Sequence, residues 1–289
     1  MLRKLLARLK VGAHASRNPL TVSPSAPLSK AVKMMSRFNV GGLLVAERGD
    51  SIDVCGVVTE RDLLMQVDGS SANEPTVGDV MTQEVPFVPG RWDLDRSLQT
   101  MLSDDVHYLP VLGMGGKVDA VLSIFDICRA ILDQKDTLGE HSSLVTLAHV
   151  IDHGCRHEAT ESKTVSCVHA AVECMRESPA GSILVPITDS GTAHPTYGIF
   201  TARDFVRALA HGEGVWAAPV SAHVTLPSIW AVASDPVMDA LALLSERNQS
   251  ALPVVNGSPR VLSMQEILAF MVERTEEDVI ASLGHMPDV

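Results

Sequence analysis

A four-fold internal repeat constrains this chain more than any other feature. Each copy runs from a short apolar stretch into Ser or Thr, two residues, an acid and a helical pattern. The copies are Gly56-Val57-Val58-Thr59-Glu60-Arg61-Asp62, Ala120-Val121-Leu122-Ser123-Ile124-Phe125-Asp126, Gly198-Ile199-Phe200-Thr201-Ala202-Arg203-Asp204 and Arg260-Val261-Leu262-Ser263-Met264-Gln265-Glu266. Apolar residues follow each acid at +1 and +5, as Leu63 and Val67, Ile127 and Ile131, Phe205 and Leu209, Ile267 and Met271. One supersecondary unit is therefore used four times, with neighbours supplying the core that a single unit lacks.

Spacing groups the copies. Thr59 to Ser123 is 64 positions and Thr201 to Ser263 is 62, whereas Ser123 to Thr201 is 78. Two pairs result, with extra chain near residues 135 to 160. A lead-in, Thr76-Val77-Gly78-Asp79-Val80-Met81-Thr82, precedes the second copy, and its counterpart Pro219-Val220-Ser221-Ala222-His223-Val224-Thr225 lies 143 positions later. The pattern is duplication of a pair.

Within the first unit, Leu20 to Ser23 reads as a short strand closed by Pro24. Ser29 to Phe38 reads as a helix with an apolar stripe of Ala31, Met34, Met35 and Phe38. Gly42 to Ala46 and Val54 to Val58 read as a hairpin around Glu47-Arg48-Gly49-Asp50. Thr59 then opens a second helix. Leu94, Leu98, Met101 and Leu102 mark the first helix of the second copy, and Val237, Ala240, Leu241 and Leu244 that of the fourth. The expected fold is α/β (mixed α+β), four βαββα repeats forming two pseudo-twofold modules. A unit of about 50 residues holds too little core to stand alone, so pairing of sheet against sheet is expected.

The chain of 289 residues, 46% hydrophobic and 20% charged, is long enough for two domains. No apolar stretch approaches the roughly 18 to 20 residues needed to cross a bilayer. Five cysteines, an odd number without CxxC spacing, argue against a disulfide scaffold and for a reducing compartment. The net charge of −12 hides an asymmetry: eight basic residues and no acid precede Glu47, leaving 15 basic against 35 acidic residues beyond. Such a body repels polyanions, so nucleic acid is not an expected partner. Residues 1–14 form a basic amphipathic segment with Leu2, Leu5, Leu6 and Leu9 on one face. It reads as a mitochondrial presequence or, alternatively, as a helix covering the first repeat of a cytoplasmic protein.

With these motifs in register, the chain resembles four tandem cystathionine β-synthase-type (CBS) domains. The resemblance rests on the four G-[IV]-x-[ST]-x-x-D variants, the V-x-x-[VH]-[MV]-T lead-ins, and the openings Leu109-Pro110-Val111 and Leu252-Pro253-Val254. The front half, with Asn39-Val40-Gly41-Gly42-Leu43-Leu44-Val45, is similar to organellar stand-alone pair proteins. On this reading residues 15–134 are the first pair (repeats about 15–70 and 76–134) and 135–160 a linker with a lead-in helix. Residues 161–272 are the second pair (repeats about 161–212 and 219–272), followed by a tail at 273–289.

The resemblance implies an adenosine nucleotide (AMP, ADP or ATP) between paired repeats, as a regulatory ligand rather than a cofactor. The hydroxyl and carboxylate of Thr59/Asp62, Thr201/Asp204 and Ser123/Asp126 would hold its ribose, since a carboxylate accepts charge-assisted bonds from both vicinal hydroxyls. Arg61 and Arg203, each directly before its acid, are the candidates to meet phosphate. The adenine is expected near Thr21-Val22 or Thr164-Val165. His107 stands where relatives often carry a phosphate-binding Arg, and an imidazole there makes binding weaker or pH-dependent. Ser263/Glu266 departs from the pattern.

The same residues fit another role. Ser or Thr with an acid three positions on is a helix capping box, which every repeat needs. His149, His153, Cys155 and His157 are more simply surface residues of a lead-in helix than a metal site. No nucleophile motif or phosphate-cradling loop occurs, so an enzyme is not expected. Two functions remain: a nucleotide sensor acting through a protein partner, or a structural accessory subunit of a mitochondrial complex with vestigial clefts. A homodimer and an internal disc of the two modules are both compatible with the pattern.

Overall fold

The N-terminal segment forms helices α1 (Leu2–Leu6) and α2 (Val11–His14) and strand β1 (Ser16–Arg17). The first repeat follows as β2 (Thr21–Val22), α3 (Leu28–Phe38), β3 (Gly42–Glu47), β4 (Asp53–Thr59) and α4 (Glu60–Gln66). A short α5 (Val77–Val80) leads into β5 (Val88–Pro89), α6 (Leu94–Ser103), β6 (Tyr108–Leu112), β7 (Val118–Ser123), α7 (Ile124–Leu132) and α8 (Lys135–Leu138). The second half repeats the order: α9 (Leu147–His153), α10 (Val168–Glu177), β8 (Ser182–Ile187), β9 (Thr196–Thr201) and α11 (Ala202–Ala210). The last repeat is β10 (Ala231–Val232), α12 (Val237–Arg247), β11 (Ala251–Asn256), β12 (Ser258–Ser263) and α13 (Met264–Glu273). This computed structural model describes residues 2–47, 53–69, 74–138, 145–153, 165–178, 180–187, 196–212, 214–225, 230–256 and 258–273. The expected turn at 48–50, Thr164, Cys155, His157 and the tail beyond 273 lie outside them.

Three of the four sheets among the described residues join a parallel to an antiparallel pair. In the first repeat β2 runs parallel to β3, and β3 antiparallel to β4 with Leu44 opposite Val57. The second and fourth repeats do the same. The hairpin β8–β9 keeps the equivalent register, with Ser182 opposite Thr201. Alternation along each strand serves two layers. Leu43, Val45 and Val58 face the helices, while Leu44 and Val57 join Val85 and Val118 across the facing sheet. Leu184, Ile199, Ala251 and Val261 form the matching contact in the second module. The expected sheet-on-sheet pairing is therefore present, but those clusters are small.

The larger cores lie between the modules. One joins the first repeat to the third, from Ala31, Met35 and Leu63 to Val172, Phe200 and Phe205. The other joins the second to the fourth, from Leu98, Leu122 and Ile131 to Leu241, Leu252 and Ile267. The two modules thus form an internal disc. Helix α3 buries Leu28, Ala31, Val32 and Met35. Phe38, expected in that stripe, is half exposed. Both α3 and α12 stop at an asparagine in left-handed conformation, Asn39 (φ 52) and Asn248 (φ 53), a residue that tolerates this region better than most.

Lead-ins are exchanged within each pair. Bridges Lys10–Asp93 and Pro27–Thr76 swap them in the first module, and Thr146–Pro236 and Cys167–Pro219 do so in the second. This corrects two expectations. The N-terminal segment covers the second repeat, not the first: Leu2, Leu5 and Leu6 enter the core shared by the second and fourth repeats, and Arg3 bonds Asp95. Helix α9, read as belonging to the third repeat, packs on the fourth, where the Leu147 amide donates to the Asp235 carbonyl.

The exchange also explains the motif's glycine. Thr82 pairs with Val57, and a Cβ on Gly56 would sit 2.6 Å from the Thr82 carbonyl oxygen. A Cβ on Gly198 would meet Val224 Cγ2 at 2.7 Å. Because the obstacle at Gly56 is backbone, Gly56→Ala should cost about 1–3 kcal/mol through overpacking. Urea denaturation checks this, and an unchanged midpoint would show that the lead-in strand yields freely.

Candidate functional site

All four copies of the motif cap their helices. The Thr59 amide and Oγ1 both donate to Asp62 Oδ2 at 2.7 Å, and the Asp62 amide donates back to Thr59 Oγ1 at 3.2 Å. Ser123/Asp126, Thr201/Asp204 and Ser263/Glu266 repeat the arrangement. Such boxes place one acid oxygen on the helix and leave the other for a further partner.

That other oxygen is met by the exchanged lead-in. Thr82 Oγ1 donates to Asp62 Oδ1 at 2.7 Å, Thr225 Oγ1 to Asp204 Oδ1 at 2.8 Å, and Ser16 Oγ to Asp126 Oδ1 at 3.3 Å. Sequence reading missed all three partners. The signal was present, since Val11 to Ser16, Val77 to Thr82 and Val220 to Thr225 share a valine-plus-five hydroxyl.

The three aspartates differ in what remains open. A carboxylate offers about four lone-pair sites. Asp126 also takes Arg129 at 2.5 Å, and Asp204 has Arg207 at 3.6 Å; both acids are buried. Burial holds the Asp204 carboxyl above the usual carboxylate range, against the hydrogen bonds from Thr201 and Thr225. Asp62 accepts from three donors and borders a cavity of about 230 Å³. Val57, Met65, Val85 and Val106 supply its apolar wall, and Arg61, Asp104, Asp105 and His107 its polar rim. The cleft thus has an apolar slot beside a carboxylate with acceptor capacity left.

The residues before the four acids also meet one another. Arg61, Phe125, Arg203 and Gln265 converge on a second, smaller cavity of about 80 Å³ where all four repeats meet. Arg203, expected to face phosphate, is 9% exposed and committed. Its Nε donates to Glu60 Oε1 at 2.7 Å, Nη1 donates to the Asn248 carbonyl, and the guanidinium lies 5.5 Å from the Phe125 ring centre. Burial opposes its charge, but Glu60 more than offsets this and holds the pKa above its ordinary value. The Tyr108 hydroxyl beside it is pushed well up, by burial first and by Glu60 second. Glu60, which captures Arg203, lies 143 positions away in the chain, beyond the reach of any local pattern.

Arg61 lines both cavities and pairs with Asp105 at 2.7 Å. His107 also lines both. Its Nε2 meets Gln265 Oε1 at 2.5 Å, and Gln265 Nε2 donates to Asp105 Oδ1 at 3.3 Å. A polar chain His107–Gln265–Asp105–Arg61 therefore links the second, fourth and first repeats. Thr21 is exposed on β2 and lines neither cavity, while Val22, expected beside adenine, is buried among helices. Thr146 binds His149 as a local cap, and no group of three metal-ligating side chains occurs among the described residues. No helix of the described residues is long and apolar enough to cross a membrane.

The family model of the CBS domain matches residues 11–69, 77–133 and 220–273, more than half of the chain. The chain is 31% identical over 124 residues to an uncharacterized 17.7 kDa protein of Acidianus ambivalens, covering 43% of this chain and 74% of that one. It is 35% identical over 108 residues to CBS domain-containing protein CBSX3, mitochondrial, of Arabidopsis thaliana, covering 36% of this chain and 52% of the relative, about half its length. Among solved structures, protein MJ1225 of Methanocaldococcus jannaschii matches with a TM-score of 0.72 over 91% of this chain and 100% of its own, at 19% identity, a likeness of fold. Four capped repeats in two exchanged pairs, three of them matched by the family model, mean that this chain belongs to the CBS-domain family.

Proposed function

We propose that the protein is a non-catalytic sensor of an adenosine nucleotide, bound in the Thr59/Asp62 cleft and read out through contacts with a protein partner. The observation that carries this reading is the Asp62 carboxylate, which caps its helix and still has acceptor capacity facing a cavity with apolar walls. Capping and ribose binding are therefore compatible: one oxygen serves the helix, and the other accepts a ribose hydroxyl beside Thr82. The base lies against Val57, Met65, Val85 and Val106.

Transmission runs along the polar chain. A ligand group that takes Asp105 from Arg61 also loosens Gln265 and His107, and so biases the contact between the second and fourth repeats. A ligand shifts the disc only by its differential affinity for the two arrangements. Mitochondrial residence is supported by the acid-free basic start and by the relative CBSX3, mitochondrial.

Thermal unfolding tests the reading. A nucleotide at about 100 times its dissociation constant should add about 2.7 kcal/mol, a rise of roughly 4 to 5 °C for a chain of this size. Asp62→Asn should lose that rise and Asp204→Asn keep it. No shift with adenosine or any adenine nucleotide would remove the sensor role. The buried state of Asp126 and Asp204 and the locked Arg203 favour a second reading for those sites, an architectural subunit of a mitochondrial complex. In that case Asp62→Asn leaves assembly with the partner intact.

A further inference from the structure

We infer that the Thr59/Asp62 cleft selects an adenine ribonucleoside with a neutral or cationic 5′ substituent and discriminates against polyphosphates. The inference rests on the sensor reading and specifies its ligand.

The rim of the cleft carries one arginine against three carboxylates: Arg61 faces Asp62, Asp104 and Asp105. The arginine is already neutralised, with its Nη2 2.7 Å from Asp105 Oδ2. Asp105 is held in that position from the other side by Gln265 Nε2, and its backbone occupies a left-handed conformation (φ 52) that fixes its direction. The second arginine of the motifs is out of reach, because Glu60 and the Asn248 carbonyl hold Arg203 at the disc centre. Helix α4 does not compensate. It is seven residues long, and its first turn carries Glu60 and Asp62. His107, the remaining basic group of the rim, has its Nε2 against Gln265 rather than open to the cleft.

A chain of phosphates would therefore enter a rim of net negative charge and compete with Asp105 for Arg61. A ribose hydroxyl makes no such demand, and an ammonium at the 5′ position gains from Asp104 and Asp105. Opposite charges within a few ångströms attract, and like charges repel, most strongly where solvent is partly excluded.

Isothermal titration calorimetry without divalent cations provides the test, using adenosine, 5′-amino-5′-deoxyadenosine, AMP and ATP on the full chain. Adenosine and its 5′-amino derivative should bind at least tenfold more tightly than ATP, with AMP between them. In Asp105→Asn, a residue that keeps the left-handed backbone accessible, the ratio of ATP to adenosine affinity should rise at least tenfold. ATP binding as tightly as adenosine, or an unchanged ratio in Asp105→Asn, overturns the inference and leaves the sensor role standing. Absence of binding by all four compounds overturns both.

Discussion

Glu60→Ala should destabilise the protein by about 3–5 kcal/mol, because it leaves the buried guanidinium of Arg203 without its carboxylate. For a chain of this size that is a fall of roughly 5 to 8 °C in unfolding temperature. The loss is the desolvation of an unpaired cation rather than the worth of the pair, so removing both charges should recover most of it. Glu60→Leu combined with Arg203→Met provides that comparison, since apolar replacement of both partners is often neutral or better. Thermal and urea unfolding of the single and double variants decide the matter. A single variant within about 1 kcal/mol of wild type would mean that water reaches Arg203 and that this ion pair adds little to the join between the two modules. The pair has a functional side. Glu60 lies between Thr59 and Arg61, and Arg203 directly precedes Asp204, so this contact ties the first motif to the third.

Leu6→Ala should cost about 2–5 kcal/mol, the range for emptying a well-packed leucine site. Leu6 is fully buried in the core shared by the second and fourth repeats, and Leu2 and Leu5 flank it. Lys4→Ala on the same helix changes an exposed position and should stay within about 0.5 kcal/mol. Equal, small effects in both variants would mean that the segment is a dispensable cover, as a cleavable presequence would be. A large loss for Leu6→Ala alone makes the segment an integral lead-in, as its exchange with the second repeat requires.

Much of the architecture was legible in the chain. The strand and helix order, the pairing of copies and the family all followed from residues such as Thr59, Asp62, Thr201 and Asp204 recurring at fixed offsets. The capping role of those residues was legible too, because hydroxyl and acid sit one helical turn apart in every copy. The stripe of α3 was only half right: Ala31 and Met35 are buried against a core shared with the third repeat, whereas Phe38 is half exposed. The two motif arginines looked alike and behave differently, Arg61 at the cleft rim and Arg203 at the disc centre.

Local periodicity and hydrogen bonding within a few residues decide helix starts, strand alternation and the capping boxes, so the amino-acid sequence alone determined the four units and their family. The exchange of lead-ins, the burial of Leu6, the closing of Thr82 onto Asp62 and the capture of Arg203 by Glu60 were decided only in the folded disc. Each depends on groups far apart in the chain, and the repeats use the same apolar residue types, so no local pattern states which face meets which. Charge and volume complementarity across the assembled interfaces makes that choice.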